Sequence, residues 1–205
     1  MRRGPRMASA ACYDGAMPVP ASVPKWRFTA DEYQRMVQAR ILTKSHRVEL
    51  IDGEIVAKMT IGPRHSASVD RTARAFFTKA GESAIVRVQG TVRVNLYSAP
   101  EPDVVLLRPR SDFYASGHPG PADILVIVEV AESSIDYDHE VKAVLYARSN
   151  VHEYWLVDRN ENVVHRYLSP ERDRYRTVHQ YVRGQSLAPE LLPNCVIATS
   201  ELLVD

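Results

Sequence analysis

Residues 124–131 read Ile-Leu-Val-Ile-Val-Glu-Val-Ala, and this stretch decides the fold class. Every position except Glu129 is aliphatic. A strand with one face in water alternates apolar and polar residues, whereas a nearly continuous apolar run is typical of a central strand buried on both faces. We therefore expect Ile124–Ala131 to lie at the centre of an α/β domain built around one mixed sheet.

Strand-like patterns also occur before and after this central strand. Those before it are Ala84–Val88, Thr91–Leu96 and Asp103–Leu107. Short links between neighbouring strands favour an antiparallel meander. After it, Asp138–Ser149 suits a helix with Val141, Val144 and Leu145 facing the core, and His152–Asp158 suits a strand. A helix between two strands permits a crossover connection.

Two hairpins and two further helices are predicted outside this core. Asp52-Gly53 joins two β-rich runs within Val48–Val56, and Asp-Gly in that setting is a strong hairpin signal. The C-terminal hairpin pairs Val163–Leu168 with Tyr175–Val182. Thr29 is a suitable N-cap for a helix over Ala30–Ala39. A second helix is predicted over Arg64–Ala80, with one face formed by Val69, Ala73, Phe76 and Phe77.

The length of 205 residues suits one good core. We expect a single domain over residues 25–205, preceded by a disordered leader over residues 1–24. The leader contains no apolar stretch long enough for a signal sequence or a membrane span, so we expect no association with membranes.

Charge and cysteine content limit the classes of function. The chain has 26 Lys and Arg against 25 Asp and Glu, so no net basic field attracts polyanions. Nucleic-acid binding would then need a local patch or a bound metal. Cys12 and Cys195 lie near opposite ends, which argues against a disulfide framework and a cysteine zinc site and indicates a reducing, cytoplasmic compartment.

Asp103 begins one predicted strand and Glu129 lies near the end of the next. If these strands are antiparallel neighbours, the two carboxylates converge at one edge of the sheet. Two carboxylates a few ångströms apart repel each other by roughly 1–4 kcal/mol. A divalent cation between them would relieve that repulsion, and Mg²⁺ is commonly bound by one or two carboxylates together with waters and a phosphate.

Each of these residues also has a structural explanation. Asp103 follows a proline and could cap a turn. Glu129 could pair with a buried arginine such as Arg87 or Arg93. Lys142 stands four residues after Asp138, so the two could form an exposed helix pair.

The motifs resemble the PD-(D/E)XK nuclease signature, and more narrowly the Uma-type putative restriction endonucleases. The resemblance covers roughly residues 28–158. It rests on five blocks in order: Val48–Glu54, Glu101-Pro102-Asp103, Val128-Glu129-Val130, Tyr137–Lys142 and Glu153–Asp158. The lysine expected two residues after Glu129 is absent, and Ala131 stands there.

The resemblance implies a restriction-endonuclease-like core and a Mg²⁺- or Mn²⁺-dependent endonuclease acting on DNA. It implies that Lys142 supplies the displaced lysine, and that Asp103, Glu129 and the Val130 carbonyl hold the metal. Glu49 matches a family acid that could join the metal site, although a solvent-side position in the hairpin is equally compatible. A homodimer is expected because double-strand cutting commonly uses symmetric pairs.

Other candidates have weaker signals. His65 near a helix start could contact metal or phosphate, and Gln89 beside Gly90 could bond near the site; a surface position and a strand end are the alternatives. Tyr154 and Trp155 suit core or dimer contacts better than base stacking. The stripe of Arg71, Arg74 and Lys79 could touch phosphate or form a solvated helix face.

Two other functions stay open. One is a catalytically silent nuclease fold that serves as a nucleic-acid-binding or assembly module. The other is a small-molecule hydrolase using His65 with the carboxylates, which would require tight zinc. The sequence lacks a second well-spaced histidine such as an H-E-x-x-H motif supplies.

Overall fold

The structure is a computed structural model that describes residues 24–58 and 62–203. The predicted leader lies outside these residues except for Pro24. The main strands are β1 Val48–Ile51, β2 Glu54–Ala57, β3 Ile85–Val88, β4 Val104–Leu107, β5 Ile124–Ala131, β6 Glu153–Asp158, β7 Val163–Glu171 and β8 Arg174–Val182, followed by the short β9 Ser186–Leu187 and β10 Ile197–Ala198. The helices are α1 Ala30–Gln38, α2 Pro63–Ala80, α3 Ile135–Tyr137, α4 Ala143–Arg148 and α5 Thr199–Leu202.

The central sheet has six strands in the order β3-β4-β5-β6-β7-β8. Strands β5 and β6 are parallel, and every other neighbouring pair is antiparallel. The parallel pair is joined by the segment that contains α3 and α4, as a crossover connection requires. All eight residues of β5 are buried. The predicted α/β fold, with a meander followed by a crossover helix and strand, is therefore confirmed.

Helices cover the two faces of this sheet. On one face, Val69, Ala73 and Phe76 of α2 belong to a core cluster that also contains Trp155 of β6. On the other face, α4 packs against β5 and β6. The prediction for Phe77 is wrong, because this residue is 57% exposed. Among the described residues, no helix combines the length and apolar character that a membrane span needs.

The strand predicted over Thr91–Leu96 is also wrong. Val92 and Val94 are buried, as the alternating pattern implies. Their backbone N–H groups, however, donate to separate carbonyls, those of Pro100 and Ser98. The segment therefore has no continuous partner strand and forms no ladder. An alternating pattern predicts which side chains are buried, but it does not predict whether the backbone pairs with another strand.

The crossover helix begins earlier than predicted and changes its winding. It runs from Ile135 to Arg148, and the turn Asp138–Lys142 is π-helical. Such a turn contains an extra residue and changes the directions of the side chains within and after it. Leu145 faces the core as expected, but Val141 is 39% exposed, so the prediction for Val141 is wrong.

The N-terminal hairpin and α1 form a smaller cluster against the sheet edge. Thr29 caps α1 through a capping box with Glu32, as the sequence predicts. The Tyr33 hydroxyl donates to the Val48 carbonyl at 3.0 Å. Leu50 forms a bridge with Ala99, in the loop that leads to β4. These contacts fix β1 beside the start of β4.

The C-terminal hairpin is longer than predicted and flanks the core by extending its sheet beyond β6. Glu153, at the start of β6, is fully buried beneath this extension. One of its oxygens accepts hydrogen bonds from Trp155 Nε1 and from Arg166 Nε at 2.7 Å. The other accepts from the Glu190 backbone N–H at 2.7 Å. A buried carboxylate with this set of donors acts as a structural anchor.

We expect Glu153→Ala to lower the free energy of unfolding by about 3 kcal/mol or more, because the change leaves the Arg166 charge largely buried and unpaired. Glu171→Ala is the matched control, since Glu171 pairs with Arg176 in a pair whose side chains are each at least half exposed. That control should cost less than about 1 kcal/mol. Urea unfolding measures both, and equal losses would contradict an anchoring role for Glu153.

Candidate active site

Asp103 and Glu129 meet at one end of the β4–β5 pair. Val104, the first residue of β4, pairs with Val128, so Asp103 lies opposite Glu129 just beyond the last paired residues. This is the convergence that antiparallel neighbours would produce, with a strand start beside a strand end. Asp103 is 8% exposed and Glu129 is 3% exposed.

Each of the two carboxylates accepts a backbone N–H from the neighbouring strand end. Glu129 Oε2 accepts from the Asp103 backbone N–H at 3.1 Å. Asp103 Oδ2 accepts from the Val130 backbone N–H at 3.0 Å. The side chains thus continue the β4–β5 ladder past its last backbone pair. Asp103 bonds across strands in this way, so the turn-capping explanation for it is wrong.

Glu129 Oε1 has two further donors. Lys142 Nζ and the Tyr146 hydroxyl each lie 2.8 Å from this oxygen. Both residues come from the crossover helix, which places them over the end of β5.

The arginine alternative for Glu129 is wrong. Arg87 donates to the Phe113 carbonyl, and Arg93 pairs with Asp31, an exposed residue of α1. The cation beside Glu129 is the lysine of the crossover helix.

Lys142 is 6% exposed, so the explanation as an exposed helix pair with Asp138 is also wrong. Its Nζ lies 3.8 Å from Asp138 Oδ1, but also 3.7 Å from Glu49 Oε1 and within hydrogen-bond distance of Glu129. The ammonium is therefore shared among carboxylates from β1, β5 and the π turn. The lysine stem crosses the core surface while its charged end reaches the sheet edge.

Glu49 is 2% exposed, so the solvent-side alternative for this residue is wrong. Its Oε2 accepts from the Glu101 backbone N–H at 3.1 Å. The hairpin therefore directs Glu49 inward, toward Lys142.

His65 and Gln89 both reach Asp103. His65 Nε2 lies 3.2 Å from Asp103 Oδ1, and Gln89 Nε2 lies 3.4 Å from the same oxygen. His65 is at the start of α2, and Gln89 follows β3 with a φ of +47°. Both side chains contact Oδ1, whereas the Val130 N–H binds Oδ2.

The remaining candidates lie elsewhere. Tyr154 and Trp155 are fully buried within this chain, so they are core residues and are not available for dimer contacts or base stacking. Arg71, Arg74 and Lys79 are exposed on the outer face of α2.

A cavity of about 150 Å³ opens at this edge of the sheet. Its polar lining includes Glu49, His65, Asp103, Glu129, Glu132, Asp138 and Lys142. Four of the lining carboxylates are almost fully buried, those of Glu49, Asp103, Glu129 and Asp138, against one buried ammonium. The cavity is therefore strongly acidic.

This crowding shifts the pKa values of the site. Burial raises the pKa of Glu129 to about 7, with Asp103 and Asp138 adding to the rise while Lys142 opposes it. Burial would lower the pKa of Lys142, but Glu129, Glu49 and Asp138 raise it well above its usual value, so the ammonium stays charged. Burial opposes ionisation of Asp103, yet His65 and Val130 hold its pKa below the ordinary value. The hydrogen bond to Asp103 raises the pKa of His65.

Sequence reasoning overlooked Tyr146 and the place of Asp138 in the cluster. Tyr146 stands four residues after Lys142, and residues at that spacing share one face of a helix. That spacing could have identified Tyr146 as a second donor to Glu129. Asp138 was expected only at the helix start, but here Ser134 Oγ donates to it at 2.6 Å and its carboxylate faces the cavity.

The sheet order, the crossover helix and the acidic edge define a protein with a nuclease fold. The same fold is present in the crystal structure of a putative nuclease belonging to DUF820 from Anabaena variabilis ATCC 29413. The two structures match with a TM-score of 0.64 at 16% identity, over 85% of this chain and 97% of that chain.

The family model Uma2, described as putative restriction endonuclease, matches residues 30–200. The chain belongs to this family. No curated protein sequence matches the chain. The resemblance drawn from the five sequence blocks is thereby confirmed.

We expect ionisation of Glu129 to lower the free energy of unfolding of the wild-type protein in EDTA as the pH rises from 5 to 8. The pKa of this carboxyl is about 7 in the folded protein against 4.5 ordinarily. The folded state therefore keeps a proton that the unfolded state releases. This protonation contributes on the order of 1–3 kcal/mol to the free energy of unfolding. The contribution is fully present below about pH 4.5 and is lost as the pH rises through about 7.

Glu129→Gln should remove this part of the pH dependence, because glutamine does not ionise. Urea unfolding at four pH values between 5 and 8 compares the variant with the wild type, and Glu82→Gln, at an exposed glutamate just after α2, is the matched control. Parallel curves for all three proteins would show that Glu129 ionises normally.

Proposed function

We propose that the protein is a Mg²⁺- or Mn²⁺-dependent endonuclease that hydrolyses phosphodiester bonds in DNA. The observation that carries this proposal is the meeting of Asp103, Glu129 and Lys142 in one acidic cavity at the end of β5. Family membership supports a nuclease, and the residues of the cavity suggest how it would cut.

The donor set fits a hard divalent cation. Glu49, Asp103 and Glu129 supply carboxylate oxygens, which Mg²⁺ and Mn²⁺ prefer. Asp103 Oδ2 and Glu129 Oε2 each accept a backbone N–H. A carboxylate oxygen has two lone pairs, so each can accept that bond and still face a cation. The Val130 carbonyl, at the same strand end, stays a predicted ligand.

Charge supports the need for a cation. A phosphodiester is an anion, and the buried carboxylates of Glu49, Asp103 and Asp138 outnumber the Lys142 ammonium even when Glu129 is protonated, so they would repel it. The chain as a whole carries a formal net charge of only +1, so no general positive field compensates. A metal ion at the carboxylates would reverse the local sign of the field. When bound, it would polarise the scissile phosphate and lower the pKa of a bound water.

Lys142 acts as a fixed positive charge. Because its pKa is raised well above the ordinary value, it cannot serve as a general base near neutral pH. An ammonium beside Glu129 can orient the attacking water and neutralise the charge that develops on the phosphate in the transition state. Tyr146 holds the same Glu129 oxygen and so limits the rotation of the carboxylate.

His65 and Gln89 have a positioning role. Their bonds to Asp103 Oδ1 fix one oxygen, which leaves Oδ2 directed along the β5 edge. A homodimer remains part of the proposal, since a symmetric pair would bring two such sites to opposite strands of a duplex.

Mn²⁺ or Mg²⁺ should raise the melting temperature of the wild type by several degrees and have little effect on Asp103→Asn. A ligand that binds only the folded state stabilises it by mass action. Asp70→Asn, at an exposed position of α2, is the control and should respond like the wild type. Equal shifts in Asp103→Asn and the wild type would remove Asp103 from the metal site.

Lys142→Ala should lower the rate of plasmid nicking by roughly two orders of magnitude, which is the usual range for a positioned charge. Lys142→Arg should not restore the rate, because a planar guanidinium cannot replace a compact ammonium at the water. Supercoiled plasmid with Mg²⁺, Mn²⁺ or EDTA supplies the measurement, and Lys25→Ala, at a lysine whose side chain is 73% exposed, is the control.

The same assay separates the proposal from the catalytically silent alternative. A wild type that nicks no plasmid in either metal, while remaining folded, would favour a nucleic-acid-binding or assembly module. Normal nicking by a folded Lys142→Ala would instead leave the nuclease proposal intact and remove Lys142 from it.

A further inference from the structure

A second group of potential metal ligands lies where β6 turns into β7. Asp158 ends β6, Glu161 is in the turn, and His165 is the third residue of β7. One ligand atom from each of the three lies within 4.8 Å of the other two. None of them lines the cavity around Glu129 in the part of the chain that the structure describes.

The turn holds Asp158 in place for such a role. Asp158 Oδ1 accepts the backbone N–H groups of Asn160 at 2.7 Å and of Glu161 at 3.2 Å. The other oxygen, Oδ2, lies 3.9 Å from His165 Nε2, which is beyond hydrogen-bond distance. Asp158 is only 3% exposed, so its carboxylate is largely removed from solvent.

His165 Nε2 is the observation that points to a ligand. The residue is 6% exposed, and Nε2 has no hydrogen-bond partner among the described residues. Leaving a buried polar atom unsatisfied costs about 1–3 kcal/mol.

The other ring nitrogen has a partner that can set the tautomer. His165 Nδ1 lies 3.4 Å from the Gln180 side-chain amide on β8. The amide Nε2 is the atom that faces Nδ1, so Nδ1 accepts this bond and Nε2 carries the ring proton in the metal-free protein. Metal binding at Nε2 therefore requires the proton to move to Nδ1, and a turn of the Gln180 amide would present its oxygen as the acceptor for that N–H.

We propose that Asp158, Glu161 and His165 form a structural site for a borderline first-row divalent cation such as Zn²⁺. One imidazole nitrogen with two carboxylate oxygens suits zinc and leaves a fourth position for water, whereas Mg²⁺ prefers an all-oxygen set. Tetrahedral ligands around zinc lie about 3.4 Å apart. The separation of 3.9 Å between Asp158 and His165 therefore has to close by only about half an ångström on binding.

This site would stiffen the wall of the catalytic cavity. Asn160 Nδ2 donates to the Glu132 carbonyl at 2.7 Å, and Arg159 Nη1 pairs with Glu132 Oε2 at 2.8 Å. The Arg159 backbone N–H also donates to the Ala131 carbonyl at 3.0 Å. Since Glu132 lines the cavity, a cation that fixes the turn also fixes the chain where it leaves β5.

The test uses Asp103→Asn/Glu129→Gln as the background, so that the catalytic cavity cannot contribute. With ZnCl₂ we expect one equivalent bound by equilibrium dialysis and a rise of several degrees in melting temperature. Adding Glu161→Gln should weaken binding at least tenfold without affecting folding, because Glu161 is exposed. Adding His165→Asn should abolish it, and His179→Gln, at an exposed histidine of β8, should leave it unchanged.

Two results would overturn the proposal. One is a folded background protein that binds no Zn²⁺, and the other is equal Zn²⁺ affinity with and without Glu161→Gln. An equal response to MgCl₂ would contradict the assignment to zinc-like cations. If the background protein does not fold, the same variants are compared in otherwise wild-type protein with 10 mM MgCl₂ occupying the catalytic cavity.

Discussion

Four carboxylates buried around one buried ammonium are the constraint on which the rest of this structure depends. Each charge removed from water must be satisfied by hydrogen bonds or by an opposite charge. Backbone N–H groups at the strand ends satisfy Asp103 and Glu129, and the crossover helix has to pass close enough to supply Lys142 and Tyr146. The sheet register, the helix path and the inward turn of Glu49 therefore serve one electrostatic arrangement.

Much of this arrangement could be predicted from the sequence. A run of aliphatic residues can be buried on both faces in only a few ways, so Ile124–Ala131 located the centre of the sheet, and Glu129 within it signalled a charged site. Antiparallel pairing then placed Asp103 beside Glu129, and the register bears this out. The resemblance to a nuclease family, not the residue pattern, singled out Lys142, which lies 2.8 Å from Glu129.

Three features could not be predicted, because they depend on backbone geometry that a pattern of residue types does not determine. The π turn rotates Val141 outward and Lys142 inward, and no residue type specifies such a turn. In the segment Thr91–Leu96, Val92 and Val94 are buried as the pattern implies, but their backbone N–H groups donate to carbonyls that do not belong to one partner strand. Glu49 was undecided because a hairpin pattern alone does not determine which of its faces meets the remainder of the protein.

The carboxylates of Asp103 and Glu129 lie at one end of the β4–β5 pair, and the loop that connects the two strands lies at the other end. The loop from Leu107 to Ile124 lies at the end remote from Asp103 and Glu129. An insertion in that loop would therefore leave the pairing of the two carboxylates in register. A residue gained or lost inside either strand would reverse which side chains face inward. The two ends of the β4–β5 pair would therefore differ in their tolerance of changes in chain length.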